Sequence, residues 1–201
     1  MYGKVFDRFI QIWFENVDFA TALASPVFKN LASEGILLTS YYAVTHPSEP
    51  NYVASVGGDF FGLASDDLTY IPNNVSTIVD LLESAGISWA SYQENMPTDG
   101  YQGYNFTNPD SYTYYVRKHN PLVIYDSVGK NATRAARIRN FNDFAVDASI
   151  VSLVGNVADG VYRLPTTPSL SGYLSRLTYL SGLFRFVNVT STSLTIPQRW
   201  T

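Results

Sequence analysis

Cysteine is absent from this 201-residue chain, which excludes disulfides, thiolate nucleophiles and thiolate zinc sites and leaves catalysis to oxygen and nitrogen groups. Histidine is nearly absent, with only His46 and His119. No Gly-x-Ser-x-Gly elbow occurs, and Gly57-Gly58 lacks the lysine that a phosphate-cradling P-loop requires. No apolar run is long enough to span a bilayer, so no stable membrane insertion is expected. The net charge of -4 provides no basic field, and no nucleic-acid partner is expected. An export signal is missing too, because Lys4, Asp7, Arg8, Glu15 and Asp18 interrupt the first twenty residues where an apolar block belongs.

What is present points to one folded domain. A chain of this length buries roughly 70% of its unfolded surface, and its 46% hydrophobic content argues against disorder. Four glycosylation sequons start at Asn74, Asn105, Asn131 and Asn188, a density more usual in glycosylated secretory proteins. Set beside the missing export signal, they predict that the true amino terminus is absent.

The order of apolar runs and breakers predicts an α/β alternation. Val5 to Phe14 reads as a buried strand that ends at Glu15-Asn16. Ser25-Pro26 places an N-cap and an N1 proline ahead of a helix from Val27 to Ser33, closed by Gly35. Ile36 to Val44 reads as a second strand, giving a parallel unit whose strand ends share one sheet edge, where ligands of open α/β sheets collect. A helix follows over Asn51 to Ser55, ending at Gly57-Gly58, and another runs from a Ser76 cap through Ser84. Ile87 to Tyr92 and Leu122 to Tyr125 read as strands, and Asn140 to Ala148 as the start of a helix. Met96 to Tyr115 has no steady period and reads as a long surface excursion that either covers the sheet edge or contacts substrate. Beyond Val154 the rhythm stops, and Asp159 is the sole acidic residue to the end.

Chemistry concentrates in Thr45-His46-Pro47-Ser48-Glu49-Pro50-Asn51-Tyr52. Two prolines flank Ser48 and predict a stiff loop that presents it, although a solvated proline-rich turn is the plainer reading of the octapeptide alone. A serine needs a base or a metal to act as nucleophile. His46 is too close in sequence to aim well for a triad, so metal activation is the better candidate. Glu15 offers a hard anionic oxygen, and Asn16 a neutral oxygen or an amide donor, a pair suited to a divalent cation and a phosphoryl oxygen. His119, in Arg117-Lys118-His119-Asn120-Pro121, either contacts a phosphate and helps the leaving group or is a solvated loop histidine. Arg134, Arg137 and Arg139 read as a solvated helix face.

Together Phe6 to Phe19 with Glu15-Asn16-x-Asp18-Phe19, Thr45 to Tyr52, Val56-Gly57-Gly58-Asp59 and Lys118-His119-Asn120-Pro121 resemble the phosphoesterase family of the alkaline phosphatase superfamily. That family includes fungal secreted acid phosphatases and bacterial non-specific phospholipases C. The resemblance implies the amino-terminal part of a three-layer alkaline-phosphatase-like sheet with flanking helices. It implies hydrolysis of a small phosphate ester, in the manner of an acid phosphatase, through a phosphoserine on Ser48. Glu15 would bind a divalent metal ion of unspecified identity, Asn16 the metal or a phosphoryl oxygen, and His119 the phosphate. An extracellular or cell-wall location follows by resemblance, with N-glycans at Asn74, Asn105 and Asn131.

One departure stands out. The family's remaining metal ligands come from later in its domain, yet no adjacent acidic pair follows Asp147 and no histidine follows His119. The expected organisation is an incomplete phosphoesterase domain over residues 1–154 and a divergent tail over 155–201, a truncated member with half a catalytic site. The alternative is a non-catalytic secreted module that binds glycans or surfaces through its Tyr-rich loop.

Overall fold

The computed structural model describes residues 9–144, 146–147 and 188–189. The chain divides into two units, one formed by Met1–Ala43 with Val161–Thr201 and the other by Val44–Gly160. Apart from 188–189, the tail expected over 155–201 lies outside the described residues.

In the first unit, β1 is only Trp13–Phe14: the strand expected over 5–14 does not include residues 9–12, and residues 5–8 lie outside the described residues. Its parallel partner is β6 (Asn188–Val189), with Trp13 opposite Asn188 and Phe14 opposite Val189. The sequence reading missed α1 (Phe19–Ala24), which starts where the Asp18 carboxylate accepts the Thr21 N–H at 2.8 Å. The expected helix is α2 (Pro26–Glu34), with Ser25 at the N-cap, Pro26 in the first turn and Gly35 at the C-cap. Phe14 meets Phe28 edge to face at 5.0 Å, packing the end of β1 against α2.

The strand expected over 36–44 does not form. Ile36, Leu38, Tyr42 and Val44 are each more than half exposed, and no described residue pairs with the segment. An apolar run carries the same signature whether or not another backbone accepts its hydrogen bonds, and a strand exists only when one does. The predicted parallel unit therefore fails, and β1 takes its partner from far along the sequence.

The second unit is built around α3 (Ser48–Gly57), α4 (Ile78–Ser84), β2 (Ser91–Gln93), β3 (Asn105–Thr107) and β4 (Thr113–Val116). A short 3-10 turn (Arg117–His119) follows, then α5 (Pro121–Ile124), α6 (Asp126–Gly129), α7 (Ala132–Ala135) and β5 (Ile138–Asn140). Residues 141–144 and 146–147 are helical, as expected. Val53 of α3, Val79 of α4, Leu122 to Tyr125, Val128 and Ile138 form its core with Met96 and Tyr115. β2 pairs in parallel with β5, and β3 with β4 in antiparallel. Among the described residues the class is mixed α/β, with strands in two-stranded pairs.

Several local expectations are corrected here. Helix α4 starts one residue late, because Thr77 and Asp80 form a reciprocal capping box that Ser76 does not enter. The third strand is Ser91–Gln93, not 87–92. The run 122–124 is helical and Tyr125 is its extended C-cap: Pro121 pre-sets the first turn, and burial on every side removes the periodicity that separates a strand from a helix. Only Tyr125 makes a strand-like bridge, to Ile71. The excursion over 96–115 is anchored by buried Met96 and Tyr115 and folds into the β3–β4 hairpin.

The three arginines are not one solvated helix face. Arg134 ties α7 to α4 through Asp80 and Glu83, both at 2.7 Å. Arg137 lies over the Trp89 ring at 5.6 Å, and Arg139, in β5, pairs with Asp143 at 2.8 Å and also with Asp147.

Candidate active site

Ser48 lies within the first turn of α3 and is 8% exposed. This corrects the expected stiff loop. Proline is tolerated in a first helical turn, where its missing N–H has no intrahelical partner to lose, so Pro50 permits the helix to begin at Ser48. Pro47 occupies the N-cap and offers no side-chain acceptor.

The incoming strand of chain is held by Asn51 instead. Its Oδ1 accepts the N–H groups of Val44 (2.9 Å) and Thr45 (3.2 Å), and its Nδ2 donates to the carbonyls of Thr45 (2.9 Å) and Pro47 (2.8 Å). One side-chain amide thereby fixes the segment that delivers Ser48. The far end of α3 is fixed by close packing. The Tyr125 hydroxyl donates to the Val53 carbonyl at 2.9 Å, and a Cβ on Gly57 would fall 1.9 Å from that hydroxyl oxygen. Gly58 closes the helix at φ 78°, a conformation that favours glycine.

His119 ends the 3-10 turn and is half-buried. Its ring lies 5.1 Å from that of Tyr52, which follows Ser48 by four residues and shares its helix face. The structure thus places His119 on the face of α3 that carries Ser48. Neighbouring cations turn elsewhere. Arg117 is 2% exposed, donating to the Val123 carbonyl at 3.0 Å and lying 4.7 Å over the Tyr70 ring. Lys118 pairs with Asp66 at 2.7 Å.

Glu49, beside Ser48, is 2% exposed. Burial pushes its carboxyl up to about 7, with the nearby Asp66 charge adding to the rise and the Thr69 hydrogen bond, Arg117 and Lys118 opposing it. The Asp66 carboxylate also accepts the Glu49 backbone N–H at 2.9 Å. Asp66 is a site element that the sequence does not single out, and Tyr52 enters only as the last residue of the Thr45–Tyr52 motif. Their only visible signal was an acidic pair in a polar loop and a helical i, i+4 spacing.

Glu15 and Asn16 follow β1 in the first unit, Glu15 half-buried and Asn16 exposed. Their oxygens have the right chemistry for a hard divalent cation, but two donors are fewer than such an ion takes. No group of three or more His, Cys, Asp or Glu able to hold a metal ion occurs among the described residues. No described helix is long and apolar enough to cross a membrane.

Comparison with known proteins adds an independent finding. The model of the Phosphoesterase family matches residues 10–153. An acid phosphatase of Aspergillus fumigatus is 56% identical over 146 residues, covering 72% of this chain and 33% of the relative. A phosphate-repressible acid phosphatase of Penicillium chrysogenum is 52% identical over 153 residues, 75% of this chain and 36% of the relative. More distantly, a phosphatidylinositol-3-phosphatase of Mycobacterium tuberculosis is 31% identical over 105 residues, 52% of this chain and 33% of the relative. The chain therefore matches about a third of the length of these curated relatives. No solved structure matches it significantly.

Proposed function

Because this chain belongs to the Phosphoesterase family, we propose that it is built to hydrolyse small phosphate monoesters, with Ser48 as the nucleophile. The observation that carries the reading is the placement of Ser48 in the first turn of α3, with the His119 turn packed on the same helix face, inside the matched span. The phosphatase names of its relatives support ester hydrolysis and a monoester substrate.

In the proposed reaction, the Ser48 Oγ forms a bond to phosphorus as the bond from phosphorus to the ester oxygen breaks, and the hydroxyl proton leaves the serine. The leaving alcohol takes up a proton. Water then attacks the phosphoserine and releases inorganic phosphate. His119 is assigned to the phosphate, where an imidazole N–H can donate to an equatorial oxygen. Glu15 and Asn16 are assigned as part of a donor set for a divalent cation, Asn16 alternatively to a phosphoryl oxygen. When bound, such an ion supplies positive charge that eases serine deprotonation and offsets charge on the transferring group.

The same reading treats residues 1–154 as the amino-terminal part of a three-layer α/β domain, with 155–201 as a divergent tail. It also takes the protein to be extracellular. Asn74, Asn105 and Asn131 are all exposed, which suits N-glycans at these positions. No observation favours the glycan-binding alternative.

The test is hydrolysis of an aryl phosphate by the purified chain with divalent metal ions added, beside Ser48→Ala. Mass spectrometry of acid-quenched protein would look for phosphate on Ser48. Turnover and a phosphoserine that both vanish in the variant are expected. Turnover retained by Ser48→Ala would refute the assignment, and none from the folded wild-type chain would mark it as a catalytically incomplete member.

A further inference from the structure

The helix that carries Ser48 lacks a cap of its own. Its N-cap is Pro47, with no side-chain acceptor, and Pro50 supplies no N–H. Glu49 is also a residue before proline, and that position is biased away from helical backbone. Asn51, from within the helix, ties down the incoming chain, and the Glu49 N–H takes its acceptor from elsewhere.

Asp66 supplies that acceptor from seventeen residues away. Its Oδ1 accepts the Glu49 N–H at 2.9 Å, the second N–H of the helix and one that a conventional N-cap side chain would satisfy. Its Oδ2 accepts from the Lys118 ammonium at 2.7 Å. Lys118 immediately precedes His119 in the 3-10 turn. One carboxylate therefore grips both segments of the candidate site. Pairing with Lys118 offsets its charge, so the cap adds little net negative field near an incoming phosphate. The Tyr104 hydroxyl also reaches the Asp66 carbonyl at 3.4 Å, steadying the loop.

We propose that Asp66 is a positioning residue of the phosphoesterase site: a cap supplied from a distant loop that fixes Ser48 and the His119 turn relative to one another. This rests on the hydrolytic reading above. Asp66 touches neither reacting group and acts through the Glu49 amide and Lys118.

The test compares Asp66→Ala and Asp66→Asn with Thr77→Ala, which removes the cap of α4 instead. Amide hydrogen exchange at Glu49 and the NMR resonances of the His119 ring are read in each, with kcat and KM for an aryl phosphate. Asp66→Ala should speed Glu49 exchange by about tenfold, shift the His119 resonances and lower kcat by about tenfold with KM little changed. Asp66→Asn keeps one acceptor oxygen and should restore most of the Glu49 protection, but its amide N–H groups face the Lys118 ammonium, so the His119 resonances should stay shifted and kcat lowered. Thr77→Ala should lose comparable stability while leaving the Glu49 amide and the His119 ring as they were. Unchanged Glu49 exchange and His119 resonances in Asp66→Ala would overturn the proposal, as would an equal response in Thr77→Ala. A wild-type chain without turnover would refute the hydrolytic reading for this chain, while the amide and imidazole signals would still decide the role of Asp66.

Discussion

The ring of His119 lies 5.1 Å from the ring of Tyr52, tilted by 35°. Tyr52 is a core residue of α3, so the stack transfers the rigidity of the buried helix to an imidazole on an otherwise short turn. Replacing Tyr52 by Leu should destabilise the fold by about 1–3 kcal/mol through lost packing. It should also broaden or shift the His119 ring resonances, whereas Tyr52→Phe, which keeps the ring, should leave the stack intact. NMR of both variants with denaturant midpoints checks this.

Glu49 makes stability depend on pH. Its carboxyl moves from an ordinary 4.5 to about 7 on folding, so the native state holds a proton that the unfolded state releases between these values. The contribution is fully present below about 4.5 and is lost as pH rises through about 7, by up to about 3 kcal/mol across the window. Glu49→Gln carries no titrating group and should flatten this slope. Urea midpoints of both proteins across the window provide the measurement, and parallel slopes would contradict it.

Gly57 and Tyr125 should be coupled. A methyl group at Gly57 collides with the Tyr125 hydroxyl, so Gly57→Ala should cost about 1–3 kcal/mol by overpacking. In a Tyr125→Phe background the oxygen is gone, and the same substitution should cost less. A double-mutant cycle reads the difference as an interaction energy.

Arg134 holds α4 to α7 through a fork that reaches Asp80 and Glu83. Arg134→Lys keeps the charge but loses the planar fork and should recover only part of the stability lost in Arg134→Met. That loss should be about 1 kcal/mol and should shrink at high salt. Thermal unfolding at two ionic strengths checks both statements.

Signals confined to a few neighbouring residues were legible in the sequence. Ser25, Pro26 and Gly35 mark α2 because a cap, an N1 proline and a terminating glycine act within one turn, and the Gly57-Gly58 stop of α3 is read the same way. The segment 36–44 has the apolar pattern of a strand and forms none, because strand formation depends on a partner that no local pattern names. The run 122–124 reads as a strand and is a helix, because complete burial erases the contrast between faces. Ser48 was found as a candidate, but its helical placement was not, since two adjacent prolines favour a loop until Asp66 and Asn51 are in position.

The sequence by itself determined the family, the candidate nucleophile and the side-chain types available to the site, because these are properties of residue identity and spacing. Tertiary structure alone decided that His119 stacks on the helix of Ser48, that Arg117 is buried away from solvent, and that Asp66 caps a helix it does not belong to. The first and last of these join residues 67 and 17 positions apart. Hydrogen bonds and packing of that range are chosen only when the whole chain has found the arrangement that satisfies its buried polar groups.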